Sequence, residues 1–236
     1  MPRNVTQRST PAPNRRSEPE NPATTRSSKR GRYAEGIRND RLLLDAAREV
    51  FATQGADAPV SAVAERAGVG IASLYRRYSG KEELLQRLCV LAMEQTIEAA
   101  QEALEQQDPW LGLTHYIQRC IAHRAGALAP VAGTIEVDEE MRRTSQKAMA
   151  LADAVIARAH AAGMLRRDVT TLDISLLIEH FSRRPSMGAP DEDTNIQQRL
   201  LAIALAGLRP PAGDTLEPLP GHPPDRERYA ARWQKS

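Results

Sequence analysis

The chain has 236 residues and a formal net charge of +2, and its length allows one small and one medium domain that each bury a core. Its two cysteines, Cys89 and Cys120, are too few for a disulfide framework and favour a reducing compartment. The longest apolar run, residues 200–208, is too short to span a bilayer, and no apolar stretch near the N-terminus predicts a signal peptide, so we expect a cytoplasmic protein without membrane segments.

The first predicted element is a basic arm, residues 1–35. Residues 1–32 carry eight Lys or Arg and two Glu, a net charge of +6, which leaves −4 for the rest of the chain. Abundant Pro, Ser, Thr and Asn with few large hydrophobes predict disorder in the absence of a partner. Such an arm can reach phosphates or a minor groove of DNA, or it can be only a solubilising tail. The residues expected to act if it contacts DNA are Arg30, Arg32 and the nearby Arg38.

Two short helices are predicted next. The first covers residues 38–54 and ends at Gly55. Its apolar side chains follow helical spacing: Leu43, Ala46, Ala47, Val50 and Phe51. The second, residues 60–67, has a similar apolar stripe, and Gly68 suits the left-handed turn that ends a helix.

A third helix is predicted at about residues 71–78. Leu74 is its large aliphatic residue, and if Leu74 faces the core then Arg76 and Arg77 face away. Two arginines beside Tyr75 on a helix that follows a tight turn suit a reader of the DNA major groove.

The fourth helix has a recognisable start. Ser79 and Glu82 are three apart, the spacing of a capping box, directly before Leu84. Lys81 then lies in the first turn, where the helix dipole disfavours a cation unless a phosphate is bound there as well. A solvated lysine is the alternative.

Four spaced motifs in this region carry a resemblance to a known family. They are Leu43-x-x-Ala46-Ala47-x-x-x-Phe51-x-x-x-Gly55, Val63-Ala64-x-x-Ala67-Gly68-Val69, Ser73-Leu74-Tyr75 and Lys81-Glu82-Glu83-Leu84. From Arg38 to Leu85 the chain resembles the DNA-binding domain of the tetracycline-repressor (TetR) family of bacterial regulators. The resemblance implies a helix-turn-helix domain, placed at 36–82, that binds double-stranded DNA. Gly70, Tyr78 and Gly80 depart from the family pattern without threatening the fold.

Pattern and resemblance together predict two sets of DNA contacts. The residues expected to read base edges are Ser73, Tyr75 and Arg76, with Ile71 and Ala72 flanking them. The residues expected at phosphates are Ser61, Arg77, Tyr78 and Lys81. Ser61 is included because it resembles a family position that often contacts a phosphate, although a capping or solvated serine is an equal alternative. Since Ile71 and Arg76 stand at variable positions of the family, the operator sequence does not carry over.

The remainder of the chain has helical patterns and no alternating β-branched run typical of strands, so the expected fold is all-α. The predicted helices are 81–106, 109–127, 134–145, 146–162, 171–184 and 194–208. By the resemblance, residues 83–209 would form an effector-binding and dimerisation domain. An irregular tail, residues 210–236, would follow, in which Tyr229 and Trp233, four apart, favour one more short helix.

Two of these helices carry apolar stripes that the resemblance assigns to a dimer interface. The stripe residues are Ile174, Leu177, Ile178, Phe181, Leu201, Ala204, Leu205 and Leu208. A stripe buried inside its own domain would look identical, but family members pair these two helices into a four-helix interface. A homodimer would present two recognition helices about 34–36 Å apart to a palindromic operator.

The central helices are expected to bind a small-molecule effector. The candidate contacts are Trp110, Tyr116, Arg119, Cys120, His123, Met141 and Phe181. For each apolar candidate an ordinary core position is the favoured alternative, because a helical bundle needs such stripes. Arg119 and His123, which share a helix face, are the more selective candidates.

We predict no catalytic residue, cofactor or metal. Cys120-x-x-His123 has a metal-like spacing but lacks a second pair to complete a tetrahedral site, and no hydrolase, Walker or dinucleotide motif occurs. The expected function is a nucleoid-associated transcriptional regulator, a repressor released from its operator by a small molecule. The alternatives are a small helical enzyme that uses Cys120 and His123, and a DNA-binding regulator without an effector.

Overall fold

The computed structural model describes residues 40–183, 189–211 and 217–235, which form helices and loops and include no strand. The predicted arm, residues 1–35, and Arg38 lie outside these ranges. Residues Arg41–Ser236 form one compact unit. The all-α prediction is confirmed for the described part of the chain, where no helix is long and apolar enough to cross a membrane.

Three short helices come first. Helix α1 is described over residues 40–54, α2 spans Val60–Ala67 and α3 spans Ile71–Tyr75. Gly68 ends α2 as predicted: its φ is 67°, and its N–H bonds to two carbonyls of the last turn. Helix α3 is shorter than expected, although the N–H groups of residues 77 and 78 both bond to the carbonyl of Leu74 and extend it as a turn.

Helix α4, Lys81–Glu105, runs unbroken from the helix-turn-helix into the centre of the molecule. There it packs against the helices Pro109–Ala122 and Glu139–Ala161. Its start differs from the predicted capping box. Gly80 is the cap residue, and the N–H and Oγ of Ser79 both donate to Oε2 of Glu83 at 2.6 Å. The pairing is displaced by one residue because the extended backbone of Gly80 separates Ser79 from the helix. Glu82 instead accepts from the backbone N–H of Glu136 at 3.0 Å.

The later helices surround α4. They are α5 (Pro109–Ala122), a 3₁₀ helix (Ala125–Val131), α6 (Glu139–Ala161), α7 (Thr171–Phe181), α8 (Pro190–Leu208) and α9 (Arg226–Ala231). Side-chain caps fix several starts: Asp108 for α5, Asp138 for α6, and a reciprocal box between Thr170 and Asp173 for α7. The short helix expected near Tyr229 and Trp233 is present as α9.

Several predicted boundaries were wrong: α7 ends at Phe181 and not at 184, and α8 begins at Pro190 and not at 194. The helix predicted for 109–127 ends at Ala122, because Arg124 adopts a left-handed φ of 53° and the chain continues as the 3₁₀ helix. The helices predicted for 134–145 and 146–162 are the single helix α6, since no glycine or proline interrupts it.

The described residues build two hydrophobic cores. The first core combines α1, α2, α3 and the first half of α4 with residues near the 3₁₀ helix and the start of α6. The second combines the other half of α4 with α5, α6, α7 and α8. Helix α4 supplies Leu84 and Leu88 to the first and Ala99 and Ala103 to the second. One continuous helix therefore belongs to both cores.

Candidate nucleic-acid interface

The outward side of α3 is the centre of the predicted DNA contact. Leu74 is fully buried in the first core, so the opposite side of this five-residue helix faces away from the protein. Tyr75 is 54% exposed and Ile71 is 41% exposed. The three predicted base readers, Ser73, Tyr75 and Arg76, and the flanking Ile71 and Ala72 all lie in α3 or at its C-cap. A narrow helix end with exposed aromatic, apolar and guanidinium groups has the size and chemistry to enter a major groove.

Tyr78 does not have the predicted role. Only 7% of it is exposed, and it packs in the first core with Leu74. Its backbone N–H also bonds to the carbonyl of Leu74 at 3.0 Å. The ring therefore anchors the turn that follows α3, and Tyr78 does not face outward as a phosphate contact would.

The remaining phosphate candidates come from three different segments. Ser61 is exposed in the first turn of α2, Arg77 is half-buried after α3, and Lys81 is half-buried in the first turn of α4. Backbone N–H groups of a first helical turn lack helical partners and favour an anion. These three segments therefore each supply a hydroxyl or cationic side chain of the kind that binds a phosphate.

The two acids in the first turn of α4 are engaged within the chain. Hydrogen bonds from Ser79 hold the pKa of Glu83 below its usual range. The backbone N–H of Glu136 and then the ammonium group of Lys235 lower the pKa of Glu82 in the same way. Both carboxylates therefore stay ionised and bonded next to Lys81.

Arg48 is a linking residue that the sequence reasoning missed. It is buried in α1, and its guanidinium donates to the carbonyl of His123, the residue that ends α5, and to Oε1 of Gln95 in α4 at 3.0 Å. The helix-turn-helix part is thus tied to the end of α5 as well as to α4. The available sequence signal was Leu44, a further aliphatic residue four positions before Arg48, which widens the apolar face of α1 towards Arg48.

The apolar effector candidates lie in two different places. Trp110, Tyr116 and Cys120 are buried in the second core, and Phe181 packs half-buried at its edge. Met141 is fully buried in the first core instead, away from the other four, because it begins α6 beside the 3₁₀ helix. The structure therefore groups four of the five apolar candidates.

Arg119 is engaged by a partner on α4. Oε2 of Glu102 lies 3.1 Å from Nε of Arg119 and 2.7 Å from Nε2 of His115. All three side chains are about one-third exposed, so the cluster is a surface contact between α4 and α5. Hydrogen bonding to His115 and to Arg119 outweighs the desolvation of Glu102 and lowers its pKa.

Cys120 lacks the chemistry of a nucleophile. Burial raises the pKa of its thiol to about 12, so the thiol stays protonated near neutral pH. Among the described residues no group of three His, Cys, Asp or Glu could hold a metal ion. A buried, protonated thiol is a poor nucleophile.

The predicted dimer stripe packs largely within its own chain. Four of its residues are buried in the second core: Ile174, Ile178, Leu201 and Leu205. The other four are half-buried: Leu177, Phe181, Ala204 and Leu208. The sequence reasoning missed the outward apolar residues of α8, Leu200 at 48% and Ile203 at 61% exposure, because each stands one residue before the chosen stripe.

Comparisons with known proteins agree with this geometry. The family model described as "Bacterial regulatory proteins, tetR family" matches residues 43–88. The model described as "Transcriptional regulator SbtR-like, C-terminal domain" matches residues 108–210. A search of curated proteins finds no match.

Solved structures show the same fold over nearly the whole length of the matched proteins. The TetR transcriptional regulator SCO0520 from Streptomyces coelicolor is 26% identical, with a TM-score of 0.51, over 73% of this chain and 99% of that one. KstR2 of Mycobacterium tuberculosis, a ketosteroid transcriptional regulator, is 21% identical with a TM-score of 0.54, over 73% of this chain and 95% of its own. With both parts of the chain matched by family models, the protein belongs to the TetR family of bacterial transcriptional regulators.

Proposed function

We propose that this protein is a homodimeric one-component repressor that binds a palindromic operator and leaves it when a small molecule binds. One observation carries the proposal: Tyr75 and Arg76 are exposed on α3 while Leu74 of the same helix is fully buried. A reading surface held by such an anchor keeps its position when it meets DNA, so little ordering is needed on binding.

In this proposal the DNA contacts divide by chemistry. Ser73, Tyr75 and Arg76 reach base edges, flanked by Ile71 and Ala72. Phosphates are held by Ser61, Arg77 and Lys81, and Arg38 adds to them from the preceding segment. The phosphate contacts supply salt-dependent affinity that is the same for all sequences, whereas the base contacts supply discrimination.

Two copies would join through α7 and α8. The exposed Leu200 and Ile203 supply the apolar surface, and the half-buried Leu177, Ala204 and Leu208 lie on the same two helices. The proposed pairing is two-fold, so the α3 helices would enter successive major grooves about 34–36 Å apart. A monomer that reads one short half-site would have little specificity over a genome.

An effector bound between the central helices would act through two connections. Helix α4 is continuous from Lys81 to the second core, and Arg48 joins α1 to the end of α5. A shift of either helix would move the two α3 helices away from operator spacing. A coupling of about 1–3 kcal/mol would lower operator affinity roughly 5- to 150-fold.

The test is a binding titration against a duplex selected from a random pool. Arg76→Ala should lose about 1–3 kcal/mol and relax the preference at one base pair, whereas Lys81→Ala should weaken all duplexes alike and reduce the salt slope by about 1. Arg142→Ala is the control, because Arg142 is an exposed arginine of α6 paired with Glu139. If Arg76→Ala kept both the affinity and the preference of the parent, α3 would not be the reader.

A further inference from the structure

The segment 217–235, named here the C-terminal strap, has no assigned role. It follows the part of the chain that the C-terminal family model matches, which ends at residue 210. The strap contains α9, whose start is capped by the Asp225 side chain, which accepts from the N–H of Arg228 at 2.8 Å.

Charged contacts hold the strap against α6 and α7. The guanidinium of Arg226 makes contacts of 3.1 and 3.3 Å with Asp153 of α6. Arg232 makes a two-pronged contact with Glu179 of α7, at 3.0 and 3.1 Å. These contacts bridge two helices of the second core from outside.

The end of the strap reaches the base of α4. The ammonium group of Lys235 lies 3.3 Å from Oε1 of Glu82, the residue next to Lys81. The strap also passes close to Gly133, where a Cβ would stand 3.3 Å from the carbonyl oxygen of Arg232. The strap therefore touches the turn that carries a proposed phosphate contact.

Two rings of the strap face different cores. Trp233 packs against the first core, which holds the helix-turn-helix. Tyr229 is half-buried, and burial followed by the nearby Glu179 raises its pKa. Burial in the second core raises the pKa of Tyr116, and Cys120, Tyr229 and Asp153 raise it further. The centre of the Tyr229 ring lies 5.3 Å from the guanidinium carbon of Arg232, the residue that contacts α7.

The ion pairs that hold the strap are partly exposed and therefore weak. Side chains of all three ion pairs are partly exposed, from 18% for Glu179 to 59% for Arg226. Exposed pairs each contribute little, and salt screens them further. The strap is thus held by several weak contacts that a ligand can replace one after another.

We propose that the C-terminal strap is an intrachain latch: it closes the side of the second core between α6 and α7 and holds the first turn of α4, and an effector must displace it to enter. The proposal rests on the proposed function for its link to DNA. Displacement removes Lys235 from Glu82 and Trp233 from the first core, so the first turn of α4 loses support from the effector side.

The test variant is Asp153→Asn with Glu179→Gln, which removes both arginine contacts and keeps the full chain. We expect faster hydrogen exchange in residues 226–235, stronger fluorescence of anilinonaphthalene sulfonate, and operator binding weakened roughly 5- to 150-fold. Loss of two negative charges would by itself strengthen DNA binding, so a weakening has to come from the strap.

The matched control is Glu139→Gln with Glu140→Gln, the same charge change on α6 at positions without a strap contact. It should exchange and bind dye like the parent. Strap exchange that stays slow in the test variant would overturn the latch, and so would faster exchange without a change in dye binding. If the parent chain binds no duplex, the proposed function fails, but exchange and dye binding still decide whether the strap closes the second core.

Discussion

Leu74 fixes the orientation of the reading helix. It is fully buried, whereas Ile71, one turn earlier on the same helix, is 41% exposed. With only five residues, α3 has too few hydrogen bonds of its own to hold its direction, so packing of Leu74 and Tyr78 has to supply it.

We predict that two alanine substitutions in α3 affect different properties of the protein. Leu74→Ala should lower the free energy of unfolding by about 2–5 kcal/mol, since it leaves a cavity in the first core. Ile71→Ala should change stability by less than about 0.5 kcal/mol and act on DNA affinity instead. Urea unfolding and duplex titration of both variants measure this, and equal stability losses would contradict it.

The turn between α2 and α3 sets the angle of the two helices. Gly68 has a φ of 67°, whereas Gly70 has an ordinary φ of −67°. A Cβ added at either glycine would meet no heavy atom within 4 Å. Any difference between substitutions at these two sites is therefore a backbone effect and not a clash.

Gly68→Ala should cost about 1–2 kcal/mol, the penalty of a left-handed conformation for a side chain with a Cβ. Gly70→Ala is its matched control and should stay within about 0.5 kcal/mol, because the loss of a favourable cap residue offsets the lower entropy of the unfolded chain. Thermal unfolding of both variants checks the difference. A Gly70 variant as unstable as the Gly68 variant would show that the turn does not depend on left-handed geometry.

Helix α8 carries apolar side chains on two of its sides. Helix α8 buries Leu201 and Leu205 in its own second core and presents Leu200 and Ile203 outward. A contiguous exposed apolar patch often marks a contact with another chain, and these two residues are three apart on the same helix. If two copies join there, each contributes one reading helix to the operator.

Leu200→Asp with Ile203→Asp should turn the proposed dimer into a monomer and leave the fold intact, since both residues are exposed in the single chain. Operator affinity should fall by more than tenfold, because a monomer makes the DNA contacts of one subunit instead of two. A tenfold loss corresponds to about 1.4 kcal/mol. Sedimentation and duplex titration measure the two effects. A variant that remains dimeric would place the interface elsewhere.

Local sequence patterns were enough to predict the helical class, the turn at Gly68 and the outward face of α3. These are local properties: apolar spacing, a glycine with positive φ and one aliphatic anchor act within a few residues of each other. The α4 boundary was predicted for the same reason, since Lys81–Glu105 lies between a turn and a proline-containing break.

Which apolar stripes are buried in the chain's own core, and which charged groups contact each other, follows from how the helices pack. Ile174 and Leu201 have the spacing of an interface yet lie in their own core, because periodicity does not say what covers a face. Arg48 meets a carbonyl 75 residues away, and Lys235 meets Glu82 across 153 residues. Such contacts depend on how the helices pack in space, and no local pattern encodes them.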